Sequence, residues 1–111
     1  MRLFHLVEQA TWDTALRDGS YPWSTRGVTL ADEGFVHCSF DHQVAATSLR
    51  FYADVDDLLL LEIDGDRLGA PVVVEQLDGA PEPFPHIYGP LDLDAVVATH
   101  RYRAGDPPPQ V

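Results

Sequence analysis

The chain has 111 residues, 45% hydrophobic and 23% charged, a length and balance that fit one domain with a core of its own. Folding at this size buries about 65% of the extended chain's surface, enough to hold together without disulfides or a metal. Eighteen acidic residues against seven basic ones give a net charge of −11, and every base is a singly placed Arg except the near pair Arg101 and Arg103, so the basic stripe that a general binder of nucleic acid or anionic membrane needs is missing.

No apolar run approaches the roughly 20 residues of a membrane helix. The apolar patch at the start, interrupted by His5, is too short for the core of a signal peptide. The single cysteine, Cys38, cannot form an internal disulfide, which fits a reducing cytoplasm. The expectation is a small cytoplasmic domain with no nucleic-acid or membrane partner.

In chain order, residues 3–7 (LFHLV) read as a short strand with His5 at its centre. A helix follows from Thr11, a residue type that caps helices, to a stop at Gly19. Trp12, Ala15 and Leu16 fall on one helical face. Residues 20–33 mix Pro, Gly, Ser and aromatics and read as one long irregular loop, in which Trp23 is a candidate for an exposed apolar patch. Residues 34–39 (GFVHCS) read as a second strand. Asp41 opens a helix to about residue 53, with Val44, Ser48, Leu49, Phe51 and Tyr52 on its buried side.

Residues 58–64 (LLLLEID) are too apolar for an edge and read as a central strand. Asp64-Gly65 opens a turn, residues 72–77 (VVVEQL) form the next strand, and Asp78-Gly79 turns into a Pro-rich loop. Residues 85–89 are short and extended, and residues 95–103 form a last strand. The predicted fold class is α+β, with five or six strands and two helices in the first half, a single domain over residues 1–103 and a disordered Pro-rich tail over 104–111.

Strand parity orders the chemistry. Phe35, His37 and Ser39 share one face of their strand and Val36 and Cys38 the other, so His37 and Cys38 cannot form the thiol–imidazole pair of a cysteine hydrolase. Cys38 reads as a core residue. His37 and Ser39 read either as a site pair or as a structural hydrogen-bond network. His5, in an apolar strand, reads either as a hydrogen-bonded structural group or as a ligand group. Glu75 stands in an apolar strand, where an unpartnered carboxylate is costly, so it calls for a cleft or an Arg neighbour. Its functional reading is a general base or an acceptor for a ribose hydroxyl. His86 and Tyr88 share a face of a piece stiffened by prolines, which suits stacking on a ligand as well as a plain bend. The histidines lack the spacings of a zinc site, so no metal is expected.

FHLV near the start, Trp12 followed by Gly19 and Tyr21, EGFVHCS at 33–39, LLLLEID and FPHIYGPL at 84–91 together resemble the bacterial family called domain of unknown function 952, over roughly residues 3–98. Members often carry an aromatic before the strand glutamate, where this chain has Val74. The resemblance implies an ADP-ribosyltransferase-like fold, two small sheets with a cleft between them. It further implies that NAD is a candidate substrate and the chain a candidate NAD-cleaving or ADP-ribosyl-transferring enzyme. Carried over by strand order, His5 would anchor the adenosine ribose, Ser39 would stand near the nicotinamide, and Glu75 would be the catalytic carboxylate. His86 or Tyr88 would stack on nicotinamide, and Arg26 and Arg50 are candidates for the pyrophosphate. Convergence of His37, His86 and Tyr88 alone would suit a non-catalytic binder of a nucleotide or small metabolite. A third reading is a protein-interaction module on the same fold.

Overall fold

The most apolar stretch of the chain sits at the centre of its largest sheet. In this computed structural model, which describes residues 1–77 and 79–109, the elements in chain order are β1 (Arg2–Glu8), α1 (Gln9–Asp18), β2 (Trp23–Thr25), β3 (Val28–Thr29), α2 (Leu30–Glu33), β4 (Val36–His37), α3 (Val44–Phe51), β5 (Leu58–Asp64), β6 (Val72–Glu75), β7 (Phe84–Ile87) and β8 (Val96–Arg101). Single 3-10 turns occupy Asp41–Gln43, Gly65–Arg67 and Leu93–Ala95. β5 runs between β1 and β8, antiparallel to both, with Leu61 opposite His5 and Leu60 opposite Leu6. Its side chains alternate between two apolar clusters, which is why the run is apolar throughout. Leu59, Leu61 and Ile63 join Leu3, Val7, Trp12 and Ala15, whereas Leu58 and Leu60 join Phe4, Leu6, Val44, Tyr52 and Tyr102. The sheet is therefore covered on both faces.

The second sheet has the order β4-β7-β6, and β2 and β3 form a separate hairpin. A two-residue bridge between Phe4 and Ser39 ties β1 to the chain after β4, with N–H to C=O distances of 2.9 and 2.8 Å. Val36, Cys38 and Ile87 from this second sheet enter the same cluster as Leu59 and Leu61 of the first. The α+β class holds, with three small antiparallel sheets, eight strands and three helices among the described residues, all three helices in the first half.

Several boundaries differ from those the sequence suggests. Helix α1 begins at Gln9, not Thr11, because the Gln9 N–H is satisfied by the distant Asp57 carbonyl at 2.9 Å and needs no capping side chain. Its buried stripe is Trp12 and Ala15, and Leu16 is 56% exposed. Residues 20–33, expected as one loop, contain the β2–β3 hairpin and α2. The hairpin turns at Gly27 with φ +74°, and the Thr29 side chain caps α2 by accepting from the Asp32 N–H at 3.1 Å. Trp23 is half-buried against the core rather than part of an exposed patch. Helix α3 buries the i, i+4, i+8 stripe Val44, Ser48 and Tyr52, which leaves Leu49 and Phe51 exposed.

Strand β6 ends at Glu75, before the Pro-rich stretch. The expected Asp78-Gly79 turn includes Asp78, which lies outside the described residues. Beyond β8 the chain is held for several residues. The Gly105 N–H donates to Ser48 Oγ at 2.8 Å and the Tyr102 hydroxyl donates to the Asp106 carbonyl. Positions 110 and 111 of the expected tail lie outside the described residues. No helix among the described residues is long and apolar enough to cross a membrane.

Candidate functional site

The register of the second sheet decides which side chains meet. His37 of β4 lies opposite His86 of β7, which lies opposite Val73 of β6, and Glu75 lies opposite Phe84. Cross-strand partners share a face, and so do residues two apart. His37, His86, Tyr88, Glu75 and Phe35 are thus carried on the outward face, while Val36, Cys38 and Ile87 point into the core. His37 and Cys38 diverge as parity requires. Burial pushes the Cys38 thiol far above its ordinary pKa, so it supplies no thiolate.

On the outward face Phe35 stacks on His86, with centroids 4.2 Å apart and planes at 26°. The Phe35 ring also meets Tyr88 at 5.2 Å and His37 edge-on at 4.8 Å. Glu75 Oε2 accepts two hydrogen bonds, one from His86 Nδ1–H at 2.8 Å and one from the Tyr88 hydroxyl. The first of these bonds places a proton on His86 Nδ1, and Nε2 has no hydrogen-bond partner among the described residues. His37 Nε2 meets Glu33 Oε1, at the end of α2, at 2.9 Å. His86 and Phe35 are buried, while Tyr88, Glu33 and His37 remain open to solvent.

The electrostatics follow from these partners. The Tyr88 hydroxyl, and after it His86, hold Glu75 below the usual carboxylate range, so it is ionised at neutral pH. The same bond raises Tyr88, which keeps its proton. Burial lowers the pKa of His37 despite the Glu33 contact, and the neighbouring His86 lowers it further. Of the cleft or Arg neighbour expected for Glu75, no Arg partner is present among the described residues, and a ring N–H and a phenol bond it instead.

His5 and Ser39 lie behind this face. Burial pushes His5 down to a pKa of about 4, so its ring is neutral. Its Nδ1–H donates to the His37 carbonyl, and its Nε2 accepts from the Tyr21 hydroxyl at 2.7 Å. Both nitrogens are occupied and the residue is 2% exposed, the hydrogen-bonded structural role. Ser39 is buried at the bridge to Phe4. Arg26 makes a two-pronged pair with Asp54 (2.8 and 2.8 Å), donates to the Phe51 carbonyl and lies near Glu8. Arg50 lies over the Phe51 ring and reaches the Gly79 carbonyl at 3.4 Å. Neither arginine contacts a member of the ring cluster through these bonds. Val74, where relatives often carry an aromatic, stands on the opposite face of β6 from Glu75, 49% exposed.

Three residues that hold this region have no role assigned from the sequence. Phe35 shares the His37 face by parity and Glu33 is four residues before His37, so both carry a local signal. Tyr21, which bonds His5 behind the face, is sixteen residues from it and carries no local one. Two cavities lie elsewhere, one of about 90 Å³ bordered by Glu8, Tyr21, Trp23 and Arg26, and one of about 390 Å³ bordered by Asp57, Arg101, Tyr102 and Asp106. No group of three metal-ligating side chains is present among the described residues.

The cluster also depends on a close backbone approach. A Cβ on Gly89, next to Tyr88, would stand 2.6 Å from the Ala70 Cβ. Gly89→Ala should therefore destabilise the fold by about 1–3 kcal/mol and displace Tyr88. Urea unfolding and the Tyr88 ring resonances would check both, and an unchanged midpoint would refute the tight approach.

Comparison with known proteins places this geometry in a family. No match is found among curated proteins. A crystal structure of protein CC0527 from Caulobacter crescentus is similar, with a TM-score of 0.76 at 26% identity over 90% of this chain and 84% of that one. The solution NMR structure of CC0527 gives 0.74 at 26% identity, over 90% and 83%. The family model described as "Protein of unknown function (DUF952)" matches residues 6–99, and the chain belongs to that family.

Proposed function

We propose that the outward face of β4-β7-β6 binds a small nucleoside-type ligand, with a planar ring beside the open His37 and Tyr88 and a sugar hydroxyl on Glu75. One observation carries this reading. Two donors converge on Glu75 Oε2 and fix the carboxylate, while Oε1 has no partner among the described residues. A pre-oriented carboxylate with a free oxygen beside aromatic rings suits a hydroxyl donor on a stacked ligand.

The finer reading is an ADP-ribosyltransferase-like fold acting on NAD. The bond between nicotinamide and ribose breaks with its electron pair leaving on nicotinamide, and Glu75 steadies the positive charge left on the ribose. A hydroxyl acceptor then bonds to the ribose carbon, its proton passing to a base such as His86 Nε2. The free oxygen of Glu75 favours this reading too, but binding alone is the better supported conclusion. The pyrophosphate of NAD needs positive donors, and Arg26 and Arg50 are engaged with other groups. In either reading His5 and Ser39 fix the seam that carries His37 rather than meeting the ligand.

The test is amide-shift titration of labelled protein with NAD, ADP-ribose and nicotinamide separately. Saturable shifts at residues 35–37, 75 and 86–88 are expected. Glu75→Gln should weaken binding by about tenfold or more while the melting temperature stays close to the parent's. Shifts confined to other residues, or none with any of the three, would overturn the proposal.

A further inference from the structure

We infer that this face selects a cation, a quaternary ammonium or N-alkylpyridinium group seated on the His37 and Tyr88 rings, which buried Phe35 backs, between the Glu33 and Glu75 carboxylates; this rests on the binding reading above and adds the charge of the ligand to it. Neither carboxylate has an arginine partner. Glu75 takes a ring N–H and a phenol, and Glu33 meets His37. The His37 pKa is lowered, so at neutral pH it does not cancel the Glu33 charge.

No arginine comes to the rescue. Arg2 pairs with Glu62, Arg26 with Asp54, Arg67 with Asp64 and Arg103 with Asp106, while Arg50 lies over Phe51. The remaining two are Arg17, on α1 beside Thr14, and Arg101, on β8 of the other sheet. The face therefore keeps its negative charge on a chain that already carries −11. Aromatic faces attract cations, most strongly those with little hydration to lose, as quaternary ammonium and pyridinium groups have. Tyr88 and His37 are open to solvent, and Glu33 and Glu75 are placed to add Coulomb attraction. A negatively charged group seated between the two carboxylates is disfavoured relative to a neutral or positive one of the same shape.

The probes are choline and its neutral isostere 3,3-dimethylbutan-1-ol, which have nearly the same shape and share a hydroxyl for Glu75. At low salt choline should shift the amides of residues 35–37, 75 and 86–88 and bind about fivefold more tightly than the alcohol. Added sodium chloride should shrink that gap, and Glu33→Gln should shrink it by weakening choline more than the alcohol. Equal or tighter binding of the alcohol at these residues would overturn the cation preference and leave the binding site standing. Failure of both probes to shift these amides, in a protein that still responds there to a nucleotide, would also overturn the preference alone. Silence toward every probe and every nucleotide would overturn the site itself.

Discussion

Acidification from pH 7 to about 4 should destabilise the fold by roughly 3 kcal/mol through His5 alone. In the unfolded chain the imidazole takes its proton as the pH falls below about 6.5, but in the fold it stays neutral down to about pH 4. Between those values the unfolded chain binds more protons, so each step down in pH favours it. Protonation would put a charge in the core and cost the lone pair that receives the Tyr21 hydroxyl. His37, also lowered, pulls the same way. Glu75 and Asp54, both held low by their partners, lose their stabilising contribution only as the pH falls further, through the carboxylate range. The check is the urea midpoint at pH 7, 6 and 5 for the parent and for His5→Gln, whose amide can donate to the His37 carbonyl and accept from Tyr21 without titrating. A much shallower pH slope is expected in the variant, and an equal slope would place the effect elsewhere.

Leu61→Ala should be the costlier change, at about 3–5 kcal/mol and a fall of about 15 °C or more in melting temperature. Leu61 is fully buried in the middle of β5, between His5 of β1 and Thr99 of β8, and packs in the cluster shared with Val36, Cys38 and Ile87. The neighbours that would close the cavity belong to two sheets and cannot all move inward together. Leu16→Ala, on the open face of α1, is the control and should change stability by less than about 0.5 kcal/mol. Similar melting temperatures for the two variants would contradict the placement of the core.

What could be read in advance was whatever the local pattern records. LLLLEID carries its own length and burial, and β5 spans that segment as expected. Parity in GFVHCS separated His37 from Cys38, and parity in FPHIYG paired His86 with Tyr88. The β2–β3 hairpin leaves no trace in the pattern, because strands of three and two residues are too short to show alternation. The start of α1 is not written locally, because a carbonyl 48 positions away does the work of a cap. The fate of Glu75 depended on the register of β6 against β7, and that register puts a histidine and a tyrosine, rather than an arginine, within its reach.

The order of strands in the largest sheet has a further consequence, for time rather than for stability. β1 holds residues 2–8 and its partner β5 holds residues 58–64, while β8, which completes the sheet, begins at residue 96. A loop of about fifty residues must close before the first pairing forms, and nearly the whole described chain must exist before the sheet is complete. Such distant pairings place folding toward the millisecond-to-second range rather than the microseconds of local helical folds. During synthesis the apolar LFHLV segment emerges long before anything can cover it, and it is then the stretch most in need of protection from other chains.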